Sequence, residues 1–169
     1  MVNTPYDDVK PTPGSTGNSY EWMLDIGLGT TPGTPNWKNV PDFTGFNPNA
    51  NPKYKDSTTY AHKGQTAQSK TGEDFSAQFN VMGIKDSQGE FQPELVAFFE
   101  AGDATGEDNI LPYRYYHATS GVLAYQGTAS VKWSRVNTGN DDLELFQIEL
   151  TGQGDRKKIP NPNKAGGGA

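Results

Sequence analysis

The chain has 169 residues and a formal net charge of −6, with 33% apolar residues, 20 glycines, 12 prolines and no cysteine. That length suits one domain with a real core. The missing cysteines exclude disulfides, thiolate metal sites and cysteine nucleophiles. The 8 Phe, 8 Tyr and 3 Trp must supply much of the core's bulk, which favours β structure over Leu-rich helical stripes. Charge is unevenly spread: residues 155–164 carry +3 and the rest of the chain −9. An acidic body is poorly suited to gripping a phosphate backbone, although the same charge also serves plain solubility. No run approaches the roughly 18 apolar residues of a membrane helix. The start, Met1-Val2-Asn3-Thr4-Pro5, lacks the basic and apolar regions of a secretion signal, so the expected place of folding is a cytoplasm.

In chain order, residues 1–19 are rich in Pro, Gly, Ser, Thr and Asn and show no periodicity, as in an extended arm. Tyr20–Ile26 alternates Trp22, Leu24 and Ile26 with more polar neighbours, which predicts a strand. Turn signals follow at Gly27-Leu28-Gly29 and Pro32-Gly33-Thr34-Pro35, then a short strand at Asn36–Val40 anchored by Trp37. Asp42–Ser57, with Gly45, Pro48, Pro52 and several asparagines, reads as a long internal loop. Gly72–Met82 places Phe75, Ala77, Phe79 and Val81 on one face and Ser76, Gln78 and Asn80 on the other.

The segment Gln92–Ala101 predicts the one helix: Pro93 and Glu94 suit its first turn, Leu95, Phe98 and Phe99 form a stripe, and Gly102 ends it. Three more strands follow. Ile110–Ala118 sets Tyr113 and Tyr115 opposite Arg114 and Tyr116, and Leu123–Arg135 sets Tyr125, Ala129, Val131 and Trp133 against Gln126, Thr128, Ser130 and Lys132. In Leu143–Thr151, Phe146, Ile148 and Leu150 oppose Leu145, Gln147 and Glu149. Asn137–Asp142 is a hairpin connection, and residues 155–169 read as a C-terminal arm. The domain itself is then 20–154.

Catalytic and metal motifs are missing. His62 and His117 stand apart without ligand spacing, and neither a phosphate-binding glycine loop nor a nucleophile elbow is present. The pairs Asp7/Asp8, Glu73/Asp74, Glu107/Asp108 and Asp141/Asp142 are sequence neighbours whose side chains point apart, unlike the facing carboxylates of a glycosidase. Asp103–Asp108 mixes acids and glycine but lacks the alternating positions of a calcium loop. No enzyme and no cofactor is expected.

Several phrases carry a resemblance. Lys63-Gly64-Gln65, Lys70-Thr71-Gly72 with the following strand, Asp86–Glu90 before the helix, Arg114-Tyr115-Tyr116, Tyr125–Ala129, and Leu150–Gly154 with Asn161-Pro162 together resemble the major tail tube proteins of long-tailed, actinophage-type bacteriophages. The resemblance implies a mainly β, sandwich- or barrel-like antiparallel fold with one packed helix, a long loop and two arms. It also implies a structural virion protein forming stacked hexameric rings around a lumen that DNA transits without specific binding. Lumen-facing candidates are then Glu73, Asp74, Ser76, Gln78, Asn80, Gln126, Thr128 and Ser130, with Lys132 out of place if it faces inward. Inter-ring candidates are Asp42, Phe43, Phe46, Tyr54 and Asp56 in the loop and Arg156, Lys157 and Lys158 in the arm, where the basic cluster either pairs with the next subunit or is a solvated tail. Implied partners are further copies of the chain, a tape measure protein and tail-end proteins, without a membrane. The setting is the phage tail, with assembly in the host cytoplasm. The alternative is a β-sandwich module binding carbohydrate or protein through its tyrosines.

Overall fold

The computed structural model describes residues 11–29 and 34–163. Within them, seven strands form one fully antiparallel sheet: β1 (Trp22–Leu28), β2 (Asn36–Asn39), β3 (Phe43–Asp56), β4 (Gln68–Met82), β5 (Ile110–His117), β6 (Ala124–Arg135) and β7 (Leu145–Lys158), in the order β2-β1-β5-β6-β7-β4-β3. One α-helix among the described residues, α1 (Pro93–Asp103), joins β4 to β5.

Period-2 patterning determines what the sheet must do. Leu24, Ile26, Phe75, Phe79, Val81, Tyr113, Tyr115, Ala129, Val131, Phe146, Ile148 and Leu150 all lie on one face and are all buried. A sheet with a single apolar face must find a cover for it. This one curls over itself: Phe75 of β4 stacks on Tyr113 of β5 at 4.7 Å between ring centroids, although β6 and β7 lie between those strands in the sheet. Phe46 of β3 meets Tyr115 of β5 at 5.4 Å, so the fold is barrel-like. Close approach at the narrow end needs glycine, because a Cβ on Gly152 would stand 2.9 Å from that of Phe75.

The helix covers the remaining opening. Phe98 packs edge-on against Phe79 at 5.7 Å, and Phe99 packs against Phe146 at 4.9 Å. Gln92, at the N-cap position, bridges to the end of β4: its amide nitrogen donates to the Met82 carbonyl at 2.6 Å and its oxygen accepts from the Ile84 N–H at 2.9 Å. Gly102 does not end the helix, which continues to Asp103. Gly102 is needed inside it, because the Trp133 ring occupies the place a side chain would take.

Three sequence expectations are corrected. Asp42–Ser57 is not a loop, since Phe43–Asp56 is a strand paired with β4 along nearly its whole length. Its prolines are tolerated because β3 is an edge strand, where a missing N–H removes no ladder bond on the open side. The strand shows no apolar alternation beyond Ala50 because there it leaves the body and both its faces are wet. The arm beginning at residue 155 is also a strand through Lys158, with Lys157 registered to Gln126 and Lys158 to Tyr125. The predicted strand at Tyr20 begins two residues later, after a short 3-10 turn at Ser19–Glu21. The N-terminal arm to residue 10, the Pro32-Gly33 part of the turn and the tail from residue 164 lie outside the described residues.

Because Phe79 sits fully buried where sheet, edge strand and helix meet, Phe79→Ala is expected to cost about 3–5 kcal/mol. Chemical denaturation of the two chains checks it.

Candidate assembly interface

Two surfaces remain once the core is closed. The first is the face of the sheet opposite the core. Cross-strand register lines up Asn49, Ser76, Thr151 and Ser130 in one row, and Asn47, Gln78, Glu149 and Lys132 in the next. Thr44, Asn80, Gln147 and Ser134 make a third. The helix packs on the other side, so it leaves these rows uncovered. The charges on the face are matched: Lys132 Nζ lies 3.1 Å from Glu149 Oε2, and Lys53 Nζ lies 2.8 Å from Asp74 Oδ1. Lys132 therefore adds no free cation. Near the β2 edge, Asp25 is only 3% exposed and accepts from Arg114 Nε at 2.7 Å and Asn39 Nδ2 at 3.0 Å, while the Arg114 guanidinium lies over the Trp37 ring.

Of the eight lumen candidates, Ser76, Gln78, Asn80, Thr128 and Ser130 share this polar face, Gln126 continues it toward Lys157, and Asp74 lies at its exposed margin. Glu73 does not belong to it. By alternation Glu73 turns to the core side, at the narrow end of the curl. There Arg156 reaches in from β7. Its Nε donates to Glu73 Oε1 at 3.0 Å, its Nη1 donates to the Tyr115 hydroxyl at 2.7 Å, and its plane lies 4.2 Å from the Tyr125 ring centroid. Lys70 Nζ completes the cluster at 2.7 Å from Glu73 Oε2. Arg156 is therefore an intramolecular tie among β4, β5, β6 and β7, neither a solvated tail residue nor a group free to contact another copy.

The second surface is the far half of the β3–β4 hairpin. β4 pairs with β7 only over Ser76–Met82, so below that point β3 and β4 continue as a two-stranded ribbon. Its residues from Asn51 to Asp56 and from Gln68 to Thr71 are exposed. The tip orders itself through local bonds: Ser57 N–H donates to the Ala67 carbonyl at 2.9 Å, and the His62 ring accepts from the Thr59 N–H at 3.0 Å. His117 has a similar turn role, accepting from the Ser120 N–H at 3.1 Å. Tyr54 is 56% exposed, and Tyr60 is as exposed as it would be in an open chain. Tyr54 and Asp56 thus stand on the ribbon. Phe43 and Phe46 pack against Phe79 at the body end of β3, away from the ribbon, and beside them the Asp42 carbonyl accepts from the Met82 N–H at 2.9 Å. Lys157 and Lys158 are exposed along β7.

In sequence, no family model matches the chain, and no curated protein matches it either. Its fold is nevertheless shared with solved structures of tail assemblies. One is a chain of the tail of an empty gene transfer agent particle refined with C6 symmetry (TM-score 0.61, 10% identity, 85% of this chain and 99% of that one). A second is the SPP1 tail tube (TM-score 0.62, 9% identity, 88% of this chain and 83% of that one). A third is a chain of the anti-feeding prophage baseplate solved with 6-fold symmetry (TM-score 0.53, 10% identity, 88% of this chain and 98% of that one). The chain has the mainly antiparallel tail tube fold.

The Lys70 hydrogen bond, followed by Arg156, holds the Glu73 carboxyl below its ordinary value of 4.5, against an opposing effect of burial. A depressed carboxylate adds stability above its unfolded value and loses it as pH falls through the folded one. The wild-type melting temperature should therefore drop more steeply below pH 4.5 than that of Glu73→Gln. Arg156→Ala should cost about 2–3 kcal/mol near neutral pH, because it strips charge-assisted bonds from a sheltered carboxylate and hydroxyl. Thermal melts across pH read both.

Proposed function

We propose that this chain is a tail tube subunit of a long-tailed phage or phage-derived particle, a structural protein that self-associates into stacked six-fold rings. The observation that carries this reading is the uncovered polar face spanning β6, β7, β4 and β3. Lys132 and Lys53 on it are paired with Glu149 and Asp74, and its neutral amides and hydroxyls lie in rows across the strands. A duplex passing along those rows meets hydrogen-bonding groups and one cation, Lys132, that Glu149 already pairs, so little counterion release favours sticking. Ser76, Gln78, Asn80, Thr128 and Ser130 are the lumen residues in this reading.

Ring formation joins subunits edge to edge, which removes the exposed edges of β2 and β3. In this reading the ribbon, with Tyr54 and Asp56 exposed on it, supplies the reach to a neighbour, and the exposed Lys157 and Lys158 are offered to an acidic surface of the next subunit. Partners beyond the chain itself are a tape measure protein in the lumen and tail-end proteins at the termini of the tube. The mature location is the virion tail, after assembly in the host cytoplasm. Catalysis has no part in this role.

Negative-stain microscopy and light scattering across a concentration series test the reading. Rings or hollow tubes are expected, and a monomer at every concentration would refute it. Replacing Asn51–Gly72 by a tight turn is expected to leave the melting temperature within about 2–4 °C of wild type, a change of about 1 kcal/mol, since little apolar surface is lost. The same change should abolish assembly.

A further inference from the structure

The far end of the ribbon carries the charge opposite to that on the rim of a groove elsewhere in the fold. Between Asn51 and Gly72 the chain carries four lysines against a single aspartate, on a protein that is acidic as a whole. Lys53 and Lys70 are held near the root by Asp74 and Glu73, but Lys55 and Lys63 have no acidic partner among the described residues. Beside them stand the exposed rings of Tyr54 and Tyr60. A strand advancing about 3.4 Å per residue carries this end roughly 20 Å from the body over Asn51–Asp56. An exposed two-stranded ribbon of this kind gains little stability alone, so its persistence points to a surface that receives it.

The receiving surface lies between α1 and the strands β1 and β5. It is a groove of about 700 Å³ with an apolar floor that includes Leu28, Val96, Ala97 and Leu111. Its rim carries Glu100, Glu107 and Asp108. All three acids are exposed, and none has a cationic partner among the described residues. Resting on the self-association reading, we propose that the ribbon of one copy seats in this groove of a second copy, with Tyr60 on the apolar floor and Lys55 and Lys63 facing the acidic rim. Tyrosine suits such a contact, since it offers apolar area with a polar tip. Donor and acceptor are different patches of the same chain, so the contact is heterologous, the kind that generates rings or filaments rather than a closed pair.

Charge reversal and cross-linking test the contact on the full chain. Lys55→Glu with Lys63→Glu, or Glu100→Lys with Glu107→Lys and Asp108→Lys, should each raise the concentration needed for assembly at least about tenfold. All five reversals in one chain should restore it to within about threefold, and circular dichroism confirms that every variant folds. The chain has no cysteine, so an equimolar mixture of Tyr60→Cys and Val96→Cys chains should yield an intersubunit disulfide on oxidation. If the wild type assembles while the reversals change nothing and no cross-link forms, the groove contact is overturned and self-association stands. A cross-link from Val96→Cys to Val2→Cys in place of Tyr60→Cys would make the N-terminal segment the occupant and also overturn it. A wild-type chain that stays monomeric at every concentration overturns both readings.

Discussion

Arg156 crosses the open end of the curled sheet, and the arrangement of the strands around it depends on that one guanidinium. A cation sheltered this far is stable only with partners, and a single side chain here finds a carboxylate, a phenol and an aromatic face on three different strands. Because Glu73 comes from β4 and Tyr115 from β5, the bond forms only when the sheet has curled enough to bring those strands together. The rings of Phe75, Tyr113 and Tyr115 stack beside this cluster, and burial raises the Tyr115 hydroxyl's pKa above its ordinary value. The same tie explains why β7 runs past Thr151 through two glycines. Its extension delivers Arg156 to the opening and then pairs with the start of β6.

Curling uses up the apolar face, and the other face must then be wet. That division accounts for both functional surfaces. The rows of Ser, Thr, Asn and Gln across β3, β4, β7 and β6 are the reverse side of the residues that make the core, position by position. The ribbon arises because β4 is longer than the segment β7 can pair. Its outer half has β3 as its sole partner and no core beneath it. Glu73 links the two regions, since it closes the barrel through Arg156 and steadies the ribbon's root through Lys70.

Strands that face both core and solvent were legible in the sequence, because alternation is the direct imprint of one buried face. β4, β6 and β7 appear with the correct inward and outward sets, and α1 shows its Leu95, Phe98 and Phe99 stripe. Elements without a buried face were not legible. β3 beyond Ala50 carries the composition of a loop because nothing packs on it, and only its pairing with β4 makes it a strand. Arg156 looked like part of a basic tail because its partners lie 83 and 41 residues away. Glu73 shares a charged pair with Asp74 in sequence, yet strict alternation with Phe75 turns it inward while Asp74 faces out. The Asp25–Arg114 pair left a fainter signal, a charge inside each of two apolar strands, and strand register is what joins them.

The edge formed by β3 shows how such a chain avoids pairing indiscriminately. Pro48 and Pro52 are four residues apart in an uninterrupted stretch of the β3–β4 ladder, so both present the same side. A proline inside a two-stranded ladder is tolerated when its missing N–H points away from the partner, toward the open edge. That edge therefore keeps its carbonyls at Pro48, Ala50 and Pro52 but has an N–H only at Ala50. A strand arriving there from an arbitrary protein would leave two of its own acceptors without donors, and a buried unpaired acceptor is costly. The bulge at Gly45 and Phe46 further interrupts the regular ladder at the body end. Non-specific edge pairing is thus discouraged along the stretch where β3 leaves the body. Edge pairing is left to a strand whose own donors and acceptors match this pattern, as ring formation between copies of the chain requires.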